Sequence, residues 1–409
     1  MSALENIPGL HAAESARSLV WNALFCDKTN LIYECLTTFE PDGNICDLPT
    51  SEEIALMIPN GSGWGTSMED SMISAGLMTD AELFRYILLG DSGSKEKLSL
   101  LLSGIRLCER VGEKGFLARS VHPYDKKSFY PNSSRDQYTH VVYSVSKALR
   151  NSAYSGADKD TAVSIITEIA ERTRRNVTAE NDYEMLRNDG KPGMVEKMWN
   201  CDPHEWLRLP MIYLAAYEAN GDSKWLEAYR ALRDEGIKHS FELPKEHYRM
   251  YPISQMQLSI RLLWEYETDE EYRKKYAELL MFVESKTRTR LRDIMNYYDS
   301  NPEIRFDLLA KPWRSLSFTY TMNAPVSGFG YFTPFQPNSY HEDNFCLLAD
   351  AANAVIIKAL CPEYSVSKED EQTFAKIIER VDFSRHASRA ATYISAAYWT
   401  AEYYKNHKE

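Results

Sequence analysis

Residues 133–150 read SSRDQYTHVVYSVSKALR, a charged opening that runs directly into a segment with apolar residues at helical spacing on almost every side. A helix with a polar stripe lies at a surface, whereas one that is apolar nearly all round is buried. The spacing therefore predicts a buried helix over 136–150 with its polar residues gathered at its start. The same pattern recurs: segments beginning near 67, 203, 253, 342 and 387 follow GWGTSMED (63–70), CDPHEWLRLP (201–210), YPISQMQ (251–257), YHEDNF (340–345) and SRHASRA (384–390).

Helices with a charged face lie between them. The periodicity predicts helices at 11–26, 67–89, 94–111, 136–150, 158–175, 203–220, 222–239, 253–266, 269–290, 342–359, 368–380 and 387–405. Buried and surface types alternate along the chain, which is the order produced by an all-α (α/α)6 toroid with six inner and six outer helices. Pairing the first helix with the last would close the ring. Without a Pro/Gly/Ser-rich linker, residues 1–409 read as one toroid domain, and 27–66 and 291–341 read as loops over one end. Short strands are expected at 116–121 and 315–323.

Composition narrows the function. With 44% hydrophobic residues in a chain of 409, a large core is available. The 47 Lys and Arg against 59 Asp and Glu give a net charge of -12, a field that repels nucleic acid. No apolar run is long enough to span a membrane. The start, MSALENIPGLHAAESARSL, lacks a basic segment followed by an apolar one, so a cytoplasmic location is expected. Seven cysteines without CxxC spacing argue against a zinc knuckle or a disulfide framework. The motifs GxxxxGK[ST], HExxH and GxSxG are absent, and neither a metal nor a cofactor is expected.

In a closed ring the inner helices run the same way, so their starts converge on one mouth. Asp70, Asp136, Asp202 and Asp343 each have a plainer use as first-turn acids or caps. Capping does not also call for His140, His204, His341 and His386 beside them.

This layout, with FLARSVHPYDKKSFYPNSSRDQYTHVVYSV (116–145) and GWGTSMEDSMISAGLMTDAEL (63–83), resembles the six-hairpin glycosidase superfamily. Its toroids include glycoside hydrolases, unsaturated uronyl hydrolases and polysaccharide lyases. The D-W-P-E-W type segment associated with uronyl hydrolases is absent, which leaves substrate and reaction open. The resemblance implies an enzyme acting on an oligosaccharide, with uronic-acid units among the candidates.

Sugar hydrolysis needs a proton donor and a second carboxylate. Asp136 is the expected member of that pair, flanked by Arg135 and His140, with Tyr130 and Tyr138 as pocket walls. Glu69 or Asp70 on one side, and Glu342 or Asp343 on the other, are the candidate partners. His204 and Arg208, at i and i+4, are expected to share a helical face. Arg119, Arg135, Arg385 and Arg389 suit a uronate carboxylate, and solvated ion pairing suits them equally. Trp64, Trp199, Trp206, Trp313, Phe329 and Tyr331 are candidate sugar platforms, with His341 and His386 beside them as further binding groups.

Three rivals stay open: a uronate lyase with Tyr138, His140 or His204 as base, a sugar 2-epimerase relying on histidines, and a helical binding scaffold. Inner-helix starts spaced irregularly, by about 45 to 90 residues, speak against a regular solenoid.

Overall fold

Two short signals set the helical repeat. In Gly90-Asp91-Ser92 the glycine ends one helix at φ 67°, and the Asp91 carboxylate accepts the N–H groups of Gly93 and Ser94 to start the next. Gly221-Asp222-Ser223 does the same, with Gly221 at φ 73° and Asp222 accepting from Lys224. Glycine adopts this left-handed conformation without a Cβ penalty, and a following Asp satisfies otherwise orphaned N–H groups.

The computed structural model describes residues 8–39, 48–244, 250–307, 309–310, 313–315 and 340–407, without the side chains of 315 and 340–345. The helices are α1 Leu10–Leu19, α2 Ser51–Ala55, α3 Ser71–Leu89, α4 Ser92–Arg110, α5 Arg135–Arg150, α6 Gly156–Asn176 and α7 Arg208–Asn220. They continue with α8 Ser223–Ser240, α9 Met250–Tyr266, α10 Glu270–Ser285, α11 Arg290–Ser300, α12 Tyr340–Ala359, α13 Lys368–Ile378 and α14 Ala390–Asn406. A two-residue antiparallel ladder joins β1, Phe25–Cys26, to β2, Leu31–Ile32.

Helices α3, α5, α7, α9, α12 and α14 each pack on the next, and α14 returns to α3, closing the inner ring. Around it, α4, α6, α8, α10 and α13 pack on α3, α5, α7, α9 and α12, and α1 packs on α14. The protein is thus an all-α toroid, and its first and last helices close the ring as the alternation predicts. Burial follows the same division. Every residue of α3 from Ser71 to Phe84 is buried, as is every residue of α5 from Gln137 to Ala148. The outer helix α4 buries chiefly a stripe that includes Leu98, Leu101, Leu102, Ile105 and Cys108. Among the described residues, no helix is long and apolar enough to cross a membrane.

Near their starts α3 and α5 approach closely at Gly76. A Cβ there would lie 2.8 Å from His140 Cβ and 2.9 Å from the His140 carbonyl. Gly76→Ala is therefore expected to overpack this contact, at a cost of about 1–3 kcal/mol. That exceeds the roughly 1 kcal/mol by which Ala favours a helix over Gly. The urea midpoint should fall; an unchanged or higher midpoint would mean that the two helices separate freely.

Some boundaries differ from the periodicity reading. The expected helix 203–220 begins at Arg208, because Asp202–Leu207 forms turns in which Glu205 N–H donates to the Asp202 carbonyl and Arg208 N–H to that of Glu205. Pro210 would be interior to a helix begun at 203, where its ring and missing N–H break the ladder, but it fits the first turn of one begun at Arg208. The expected helix 269–290 divides at 286–289, where Lys286 and Thr287 N–H groups bond three residues back. It resumes as α11, in a region read as loop. No ladder forms at 116–121, which runs as buried irregular chain. Most of the strand expected at 315–323 lies outside the described residues.

Candidate active site

Five of the six inner helices are joined near their starts by a continuous set of polar contacts. Just before α14, Arg389 ion-pairs with Asp70, at the N-cap of α3. Asp70 also accepts from Arg119 Nη1 at 3.1 Å and from Gln137 Nε2 of α5 at 2.6 Å. One residue earlier on α5, Asp136 accepts from Arg208 Nη1 of α7 at 2.5 Å. Arg208 Nη2 in turn donates to Gln255 Oε1 of α9 at 2.8 Å. The inner-helix starts thus converge at one end. On the sixth helix, α12, the side chains of His341, Glu342 and Asp343 lie outside the described residues.

Capping does not account for these acids. Asp70 occupies the N-cap position of α3 but makes no side-chain cap bond, and the starts of α5, α7 and α14 also lack one. On the outer helices Asp91, Asp222, Asp269 and Ser367 do cap. The inner acids have been given guanidinium partners instead.

A further carboxyl enters from outside the ring. Glu34, two residues past β2, has a side chain 3% exposed. Its Oε1 accepts the N–H groups of Glu69 at 3.0 Å and Asp70 at 2.5 Å, and its Oε2 lies 3.4 Å from Arg389 Nη1. Ser67 Oγ accepts the N–H groups of Glu34 at 2.7 Å and Cys35 at 2.8 Å, tying this strap to the approach to α3. Glu69, half-buried, accepts Gly65 N–H at 2.9 Å.

The environments drive these groups apart. Burial, and then the neighbouring Asp70 charge, push the Glu69 carboxyl above the usual carboxylate range. Burial likewise raises Glu34, against the pull of Arg389. Burial would also raise Asp136, but the guanidinium groups of Arg208, Arg135 and Arg119 outweigh it and hold the carboxyl below its ordinary value. Burial lowers His140 to about 4, against the opposing pull of Asp136, so its imidazole is neutral at physiological pH.

Beside this centre, Glu205 ion-pairs with Arg135 and lies 3.2 Å from His204 Nε2. Asp202, His204 and Glu205 each bring a potential metal-ligand atom within 4.8 Å of the others. The Arg135 guanidinium on Glu205 opposes a cation there, so this cluster reads better as an ion-pair network.

Other sequence candidates serve the fold. Tyr138 is fully buried, with its hydroxyl accepting Leu117 N–H at 3.1 Å, and Tyr130 is 2% exposed with its hydroxyl on the Ile58 carbonyl. Both phenols are engaged with backbone. His386 is also fully buried; its Nδ1 meets the Phe306 carbonyl at 3.0 Å and its Nε2 meets Ser388 Oγ at 2.8 Å. His386 locks the approach to α14 and presents no surface to a substrate. Trp313 is 4% exposed, and Trp206, 8% exposed, stacks on His239 with its centroid 4.2 Å away. Trp199 meets Trp206 edge-on.

His204 precedes α7, so it does not share a helical face with Arg208. Arg385, exposed, lies 3.8 Å from Asp307. Phe329 and Tyr331 lie outside the described residues. Trp64 remains a half-buried ring, with the Arg119 guanidinium 5.6 Å from its centroid. Glu34, Gln137 and Gln255 were not singled out from sequence. The one available signal for Glu34 was a lone acid inside the apolar run LIYECL (31–36).

No family model matches this chain, and no curated protein matches it. A solved structure titled as the crystal structure of D-mannose isomerase is similar over 96% of this chain and 96% of its own, with a TM-score of 0.46 and 9% sequence identity.

Proposed function

We propose that the protein is a carbohydrate-active enzyme that hydrolyses a glycosidic bond at the mouth of the toroid, with Glu69 as proton donor and Asp136 as the ionised carboxylate. The observation that carries this reading is the placement of Glu69 and Asp136 at the starts of neighbouring inner helices, where Gln137, next to Asp136, donates to the Glu69 carbonyl at 3.2 Å, in surroundings that push the Glu69 carboxyl up and hold that of Asp136 down. Environments that separate the pKa values of two such groups assign the acid and the base. In the proposed step Glu69 protonates the leaving glycosidic oxygen as the bond to the anomeric carbon breaks. Water adds its oxygen to that carbon, Asp136 takes the proton released and passes it to solvent, and solvent returns a proton to Glu69.

A second reading has its own observation. Among the described residues, Nδ1 of the buried, neutral His140 has no hydrogen-bond partner. A neutral imidazole can abstract a proton beside a carbonyl, as sugar epimerisation requires. The lyase version is less well supported, because it needs a cation for the uronate carboxylate. Arg119, Arg135, Arg208 and Arg389 are each already ion-paired with an acid of this chain.

That pairing favours uncharged sugars. Neutral oligosaccharides are the expected substrates, turned over in preference to uronates of the same length. Mass measurement of the products tests the reaction: hydrolysis yields fragments whose summed mass exceeds the substrate by one water. A product of unchanged mass that takes up solvent deuterium at a carbon would replace hydrolysis by epimerisation, and a dehydrated product would replace it by elimination.

A further inference from the structure

We propose that the free edge of the Arg389 guanidinium, its Nε–H and one Nη2–H, selects the substrate by gripping two hydroxyl oxygens on adjacent carbons of a neutral sugar ring. The inference rests on the carbohydrate reading of this site, and not on which reaction follows.

Four guanidinium groups gather at the inner-helix starts, and three are engaged along most of their donor edge. Arg208, 1% exposed, donates from Nη1 to Asp136 and from Nη2 to Gln255. Arg119, 4% exposed, donates from Nε to the Ser133 carbonyl at 3.1 Å, and from Nη1 to the Glu69 carbonyl at 2.9 Å and to Asp70. Arg135, 16% exposed, ion-pairs with Glu205 through Nη2 and donates from Nη1 to the Lys197 carbonyl at 3.4 Å, while its Nε is sealed from solvent. Arg389 differs. Its side chain is 28% exposed, the most open of the four, and its contacts with Asp70 and Glu34 both fall on Nη1. Among the described residues, nothing accepts a hydrogen bond from its Nε or Nη2.

That edge is held in place from behind. Asp70 is fixed in turn by Arg119 and Gln137, and Glu34, 3.4 Å from Arg389 Nη1, also takes the N–H groups of Glu69 and Asp70. A long side chain pinned at Nη1 by two acids has lost much of its rotational freedom before a ligand arrives, so binding need not supply that ordering. The same contacts tie Arg389 to the main chain of Glu69, and Gln137 ties Asp70 to the neighbour of Asp136. The free edge therefore belongs to the mouth that holds both reacting carboxyls.

The chemistry of the ligand follows from the edge. Nε–H and Nη2–H lie parallel in one plane, a fork that fits two acceptor oxygens side by side. A carboxylate has that shape, but Asp70 and Glu34 offset the charge on Nη1, so an added anion meets two acids along with the cation. Two hydroxyl oxygens on adjacent ring carbons offer the same pair of acceptors without a charge. A deoxy sugar, or a diaxial pair whose oxygens point apart, fills only one half of the fork.

The probes are neutral di- and trisaccharides, screened by calorimetry against the full-length protein, and then the monodeoxy derivatives of the tightest binder. Loss of either hydroxyl of one adjacent pair is expected to weaken binding by about 10–100-fold, the scale of a hydrogen bond from a charged donor. Arg389→Lys keeps a positive charge for Asp70 and Glu34 but has no planar fork. In that variant the parent sugar and the two derivatives should bind about equally. A scan in which no adjacent pair stands out, or a pair whose preference survives in Arg389→Lys, overturns the proposal. So does a uronate that binds more tightly than the neutral parent and loses that advantage in the variant.

A structure of the wild-type complex decides the matter whether or not Arg389→Lys folds. Two hydroxyl oxygens within hydrogen-bond reach of Nε and Nη2 support the fork, and an edge left unfilled or holding a single oxygen overturns it. If the adjacent pair is required and the product keeps the mass of the substrate, the hydrolase reading fails while the fork stands. Hydrolysis that is indifferent to every adjacent pair sinks the fork alone, and a screen in which no neutral saccharide binds overturns both.

Discussion

Glu69→Gln is expected to lower turnover of a neutral oligosaccharide by about 10²–10⁴-fold, the range supplied by a positioned general acid. The amide has nearly the shape of the carboxyl and retains an oxygen for Gly65 N–H, so the local fold should survive. What it lacks is a transferable proton. The loss should fall on kcat more than on KM, because protonation of the leaving oxygen develops only in the transition state.

The wild-type pH profile follows from the same two groups. Under the proposed hydrolysis Glu69 acts protonated, so activity is expected to decline as pH rises through a value above the usual glutamate range. Asp136 acts ionised in the same proposal, so the acid limb is expected below the usual aspartate range. Substrates with an activated leaving group, which need little protonation, should suffer much less from Glu69→Gln. Equal losses on activated and ordinary substrates would remove Glu69 from the acid role.

Arg208→Met is expected to destabilise the protein by about 3–5 kcal/mol near neutral pH, because it leaves a largely buried carboxylate without its cation. The Arg208 side chain is 1% exposed and that of Asp136 16%, so solvent can replace little of the lost interaction. Gln255 Oε1 loses a donor as well. The effect must depend on pH in a defined direction. In the native protein the depressed Asp136 contributes stability that is present above the unfolded value and is lost as pH falls through the folded one.

In the variant burial opposes only Arg135 and Arg119, so the folded-state value of Asp136 rises and the stability its ionisation contributes above about pH 3.9 shrinks. The gap between wild-type and variant urea midpoints should therefore be wide at neutral pH and narrow in acid. A gap of equal size at both would assign the loss to packing and leave Asp136 uncoupled from Arg208. Turnover should fall too, since the carboxylate is no longer held ionised in place.

Much of this architecture is legible in the residue pattern, and the reasons are local. The period that buries α5 all round and α4 on one stripe is set by residues within a few turns of one another. So are the Gly-Asp-Ser signals that end α3 and α7. The same local reading failed where a turn competes with a helix, at 202–207 before α7 and at 286–289 before α11. His204 and Arg208 looked like neighbours on a helix because four residues separate them; the turn between sends His204 to Glu205 and Arg208 to Asp136.

The candidate site divides in the same way. That Asp70, Asp136, Arg208 and Arg389 meet at one end follows once alternate helices are known to form a closed ring, and the alternation is written in composition. Which acid meets which base is not. Arg389 reaches Asp70 across 319 positions of sequence, and Arg208 reaches Asp136 across 72. Glu34 belongs to no inner helix and joins the site through a strap whose path depends on packing against α3 and α14. Tyr138 and His386 have the residue types of a site and lie in its sequence neighbourhood, yet the tertiary structure buries both.

The amino-acid order by itself determined the number of helices in the ring, their alternation and the end at which polar side chains gather, because helical period and end signals act between near neighbours. Only the closed tertiary structure decided which carboxyls are paired with guanidinium groups and which candidates are sealed in the core. Those properties arise from distances and desolvation among residues far apart in the chain, and ring closure sets both.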